Sequence, residues 1–106
     1  MTDHMLSFAD EYQRAGEDWA DKEAAAQLLE DCKSATMAQW CVEQGDIPVN
    51  RAEQTVKSSP RWQKYVENTV EARKAANKAK VYLESIKMRA MEYHSKSANL
   101  RAEMRL

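Results

Sequence analysis

The sequence predicts an all-α fold, a long antiparallel helical hairpin, on three observations. Its 106 residues contain only two Gly and two Pro. An uncharged heptad seam runs from Trp62 to Met104. Three of the four helix-breaking residues, Gly45, Pro48 and Pro60, fall in one short stretch. Sandwiches and barrels need turn residues about every 8–12 positions, and this chain cannot supply them. The same shortage excludes phosphate-cradling loops, because Gly16 and Gly45 cannot compose either a G-x-G-x-x-G or a G-x-x-x-x-G-K-[ST] motif. The length fits a single domain spanning 1–106.

The first helix is expected over 3–44. Met5, Phe8, Tyr12, Ala15, Trp19, Ala26 and Leu29 occupy heptad a and d positions, with Lys22 interrupting the stripe. Only Gly16 weakens this run, at a cost of about 1 kcal/mol relative to Ala, so the segment is one helix or two joined there. Beyond Leu29 the apolar face rotates through Cys32, Ala35, Met37 and Trp40. Gly45 stands where a left-handed residue ends a helix, and Pro48 follows. The connection, 45–59, accommodates a short helix at 51–58, with Asn50 as its cap and Glu53 completing a capping box. Ser59 before Pro60 is an N-cap with proline at the first helical position.

The second long helix, 60–105, carries the clearest pattern. Its a positions read Trp62, Thr69, Ala76, Leu83, Ala90, Ser97 and Met104, and its d positions Tyr65, Ala72, Ala79, Ile86, Tyr93 and Leu100. A helix of about 46 residues is about 68 Å long and is not stable without a partner of similar length. The first helix is that partner. Antiparallel closure places residue i near residue 104 − i.

The net charge of −1 is a cancellation. Residues 1–50 hold three Lys/Arg against eleven Asp/Glu, a net of −8, and residues 51–106 hold thirteen against six, a net of +7. Two readings follow. The asymmetry matches the two helices to each other, since Asp10 to Asp31 lies opposite Arg73 to His94. Alternatively the basic helix faces outward and contacts nucleic acid, with Arg73, Lys80, Lys87, Arg101 and Arg105 on phosphates. Val70, Val81, Tyr82, Met88 and Met91 lie off the seam. Their exposure predicts a homodimer, closing into a four-helix bundle, or a covering partner protein.

The chemistry of an enzyme is missing. His94 has no second metal ligand within a helical turn, and His4 has only Asp3 beside it. Glu17, Asp18 and Asp21 read as a solvated helix face. Cys32 and Cys41, nine residues apart, fall on opposite faces of a helix and read as free thiols of a reducing cytoplasm. A two-helix rod offers no enclosing pocket. No catalytic residue, metal or cofactor is therefore expected, nor any membrane span.

The run Val70-Glu71-Ala72-Arg73-Lys74-Ala75-Ala76-Asn77-Lys78-Ala79-Lys80 through Arg89, closing with Arg101-Ala102-Glu103-Met104-Arg105-Leu106, resembles the C-terminal part of small helical proteins encoded by tailed phages and prophages. The resemblance covers about 40 residues. It implies an early-region accessory protein supporting DNA metabolism or recombination, and it assigns no site residue. The competing expectation is a protein-interaction module or host-factor inhibitor that uses the acidic first helix or the Met88/Met91 patch and binds no nucleic acid.

Overall fold

The computed structural model describes residues 2–104, with side chains from Ser7 onward. These residues are all-α: α1 (Thr2–Asp31), α2 (Lys33–Val42), α3 (Val49–Lys57) and α4 (Pro60–Met104), with no strand. They form two compact units. One joins the residues up to Asp21 with those from Asn77 onward, and the other is Lys22–Ala76.

In the first unit the start of α1 lies antiparallel to the later part of α4. Phe8 meets Tyr93 with ring centroids 5.8 Å apart, and the Cβ position at Gly16 lies 3.9 Å from Leu83 Cδ1. Strict 104 − i pairing would set Gly16 beside Met88 and Phe8 beside Lys96, so these contacts are offset from that rule by about one turn. Ala15, Ala79 and Ile86 are buried, Ile86 completely, and Leu83, Ala90, Tyr93 and Ser97 are half-buried. The predicted seam stops there. Leu100 and Met104, at 58% and 78% exposure, lie outside the core.

In the second unit the chain passes from α1 through α2 and α3 into the start of α4. Gly16 does not divide the first helix; the interruption falls at Cys32, a single residue with φ −84° and ψ −3°. The Tyr65 hydroxyl, from α4, donates to the carbonyl of Leu29. In an unbroken helix that carbonyl serves the amide of Lys33, and a side chain entering the i→i−4 ladder is an established cause of helix breaks. The rotation of the apolar face after Leu29 has its structural counterpart here.

The turn after α2 uses Gly45 at φ +88°, a conformation that costs a residue with a Cβ about 1–2 kcal/mol. Asn50 is not the cap of α3. Pro48 holds that position with φ −56° and ψ 142° and no side-chain bond, and its carbonyl accepts the amides of Arg51 and Ala52, each at 3.0 Å. The helix therefore begins before Asn50, and the expected capping box does not form. The next junction follows expectation. Ser59 Oγ accepts the Trp62 amide at 3.2 Å and donates to the Val56 carbonyl at 2.6 Å, closing α3 and opening α4 with one hydroxyl.

α2 packs on α3, which buries Ala52 and Val56, and Trp62 is buried with them. Trp62 stacks on Tyr65 at 5.3 Å and 11°. Trp40 meets both edge-on, at 5.9 and 6.0 Å, the arrangement that ring quadrupoles favour.

Two glycines and one core residue give measurable consequences. Gly16→Ala adds a methyl at ordinary contact distance inside a helix and should stabilise by about 0.5–1 kcal/mol, whereas Gly45→Ala should destabilise by about 1–2 kcal/mol. Ile86→Ala should cost about 2–5 kcal/mol. Urea unfolding at constant m-value checks all three.

Candidate functional site

Arg73 and Arg89 of α4 reach across to carboxylates of α1. Arg73 donates through Nε and Nη2 to both carboxylate oxygens of Glu30, at 2.8 and 2.7 Å, and through Nη1 to Glu23 at 2.6 Å. This planar fork between two carboxylates is the geometry guanidinium is built for. It holds the Glu30 carboxyl below its ordinary range and raises Arg73 above its own. Arg73, expected on phosphate, is thus engaged within its own unit, with its side chain 28% exposed.

Glu11 forms a second node. It accepts the Tyr82 hydroxyl at 2.8 Å and Arg89 Nη2 at 3.1 Å. Those hydrogen bonds lower the Glu11 carboxyl and raise the Tyr82 phenol, since ionising the phenol would lose its bond to a carboxylate. Arg61 completes the pattern, paired with Glu43 at 2.7 Å and lying 3.8 Å over the Trp40 ring.

The lysines behave differently. Lys80 and Lys87 are exposed and make no ion pair among the described residues. Arg101 is also exposed, its Nε directed to the Ser97 carbonyl at 3.4 Å. Arg105 lies outside the described residues. Among the apolar residues expected at an interface, Val70, Val81, Tyr82, Met88 and Met91 are all exposed, although the Tyr82 hydroxyl is committed to Glu11.

These placements sort charge across α1 within the first unit. Asp10, Glu11, Arg14 and Asp18 line one side together with Tyr82. The other side is an open groove of about 340 Å³ whose floor is Phe8, Tyr12, Ile86 and Met91, with Ala9 and Ala90 where larger residues would fill it. Its charged or titratable lining is Lys87 and His94. Tyr12 is 44% exposed and Met91 60%. The stripe Lys80, Lys87, His94 that the heptad places beside the seam therefore borders an apolar floor over its second half. Heptad position places Phe8 and Tyr12 on the seam, and Tyr12 is nonetheless 44% exposed. The small residues Ala9 and Ala90 were the available signal that the seam opens between them.

In the second unit a groove of about 810 Å³ runs past Met37, Cys41, Val42, Val49 and Trp62, with Lys33, Lys57 and Glu53 among its charged residues. Cys41 is half-buried, its Sγ 3.7 Å from the Met37 sulfur, and Cys32 is exposed; both are free thiols. No group of three or more His, Cys, Asp or Glu is placed to hold a metal ion among the described residues. No helix there is long and apolar enough to cross a membrane. Compared with known protein families, characterised proteins and solved structures, the chain shows no match.

The Arg73 fork gives a pH signature. A carboxyl lowered in the folded state stabilises fully above its unfolded value of about 4.3, and that contribution is lost as pH falls through the folded value. Arg73→Met should therefore melt below the wild type at pH 7, and the gap should close as pH is brought below about 4. Thermal melts across pH 3–7 check this; a gap constant over that range would show that packing, not charge, is what Arg73 supplies.

Proposed function

We propose that this protein is a non-enzymatic binding module that engages a partner protein through the lysine-bordered side of its first unit. The observation that supports this best is the sorting of charge across α1, which leaves an apolar groove beside Lys87 and His94 while Asp10, Glu11 and Asp18 of that helix line the opposite side. A partner recognised here supplies apolar anchors and negative charge together. Nucleic acid supplies the second but gains little from a floor of Phe8, Ile86 and Met91. The withdrawal of Arg73 and Arg89 into ion pairs also takes two guanidinium groups of α4 away from phosphate. On the resemblance of its last 40 or so residues, the module belongs to the accessory proteins of a phage or prophage and acts in the host cytoplasm.

Nucleic-acid binding is the second reading, favoured by the exposure of Lys80, Lys87 and Arg101 along one helix. Fluorescence anisotropy with single- and double-stranded DNA of about 30 nucleotides separates the two. A partner-protein module should show no saturable binding at 50 mM salt, or only weak binding that Lys80→Glu/Lys87→Glu leaves unchanged. Tight binding that falls about tenfold or more between 50 and 200 mM salt, and is abolished by the double reversal, would establish the nucleic-acid reading instead.

A further inference from the structure

We infer that the groove between α1 and α4 in the first unit is the seat of an acidic amphipathic helix from another protein, which inserts two apolar side chains one turn apart and sets its carboxylates on Lys87 and His94. The inference rests on the binding-module reading and deepens it by naming the partner's chemistry and the place it docks.

Three features of the groove define the occupant. The floor is apolar and uneven, because Ala9 and Ala90 leave space that Phe8, Tyr12 and Ile86 surround. Such a depression takes anchor side chains rather than a flat surface, and a helix offers them at i and i+4. Lys87 to His94 spans seven residues, about 10.5 Å along the helix axis, which is two turns of a docked helix. Met91, midway between them and 60% exposed, is the unbranched side chain best able to adjust to the anchors it meets.

Charge complementarity fixes the sign. Lys87 lines the groove, Lys80 precedes it by one heptad, and His94 follows it by another. The carboxylates of α1 are directed elsewhere: Asp10, Glu11 and Asp18 line its far side, and Glu11 is held there by Tyr82 and Arg89; Glu84, between Lys80 and Lys87 on α4, is exposed and outside the groove lining. A docked carboxylate thus meets Lys87 and His94 in a groove whose own lining holds no acid.

The test uses the full chain with methionine methyls labelled for NMR. The probe is a helical peptide of about 15 residues with Leu at i and i+4 and Glu on the flanking positions, paired with a twin carrying Lys for Glu. The acidic peptide should shift the Met91 methyl and leave Met37, in the second unit, unmoved, and the basic twin should do neither. Lys87→Glu should weaken the acidic peptide about tenfold or more. Met91→Asp, at an exposed site that folding tolerates, should weaken it by about thirtyfold. Acidic-peptide binding that moves only Met37 would overturn the groove assignment while leaving the binding-module reading in place. A Met91 shift that depends on protein concentration without peptide would show that a second copy covers the groove, and would overturn the inference. Failure of both peptides together with salt-dependent DNA binding would overturn both readings.

Discussion

Two antiparallel helices of the first unit share a single stripe of side chains, and most of what is not on that stripe faces outward. In the first unit this leaves a thin core in which two buried alanines, Ala15 and Ala79, accompany one large, fully buried residue, Ile86. The alanines let the helices approach; the larger residues fill what remains. Where small residues oppose each other, as at Ala9 and Ala90, the stripe opens and becomes a surface. Core and candidate site are therefore one structural element, differing only in side-chain volume.

That constraint also governs the charged groups. Without a second layer, a pair of helices can be locked in register only by groups that reach around the edge of the stripe. Arginine does this better than lysine, because its planar fork bonds two carboxylates at once and is less strongly hydrated. Arg73 bridges Glu23 and Glu30, Arg89 reaches Glu11, and Arg61 reaches Glu43 while covering Trp40. The lysines of the same helix at positions 80 and 87 stay in solvent. The asymmetry between the acidic and basic halves of the sequence is thus met in part by pairing through Arg61, Arg73 and Arg89, while Lys80, Lys87 and Arg101 remain exposed.

Much of this was legible in one dimension, because helical periodicity is local. The seam of α4 holds from Trp62 to Ser97, and Ser59 with Pro60 starts that helix where a hydroxyl cap before proline says it should. Most of what could not be read depends on groups far apart in the chain. The break at Cys32 comes from a hydroxyl 36 residues away. The start of α3 moved from Asn50 to Pro48 because an extended proline already offered its carbonyl to two amides, which made a side-chain cap unnecessary. Counting bases could not single out Arg73, since its role depends on two glutamates of α1 being spaced to receive both edges of one guanidinium. Nor could heptad assignment show that Tyr12 is half in solvent, because that depends on how little volume Ala9 and Ala90 present.

The long reach of these bonds has a kinetic side. Helical proteins fold quickly when their contacts are local, but here the tertiary hydrogen bonds join residues 36, 43, 50, 71 and 78 positions apart. The shortest such closure is Arg61 to Glu43, a separation of 18, beside the connection that Gly45 and Ser59 shape. Since closing a loop costs more entropy as it lengthens, contacts form most cheaply there and then progressively further from the turn. The Glu11 node and the groove beside Met91, which depend on the largest separations, therefore carry the largest loop-closure cost in the chain.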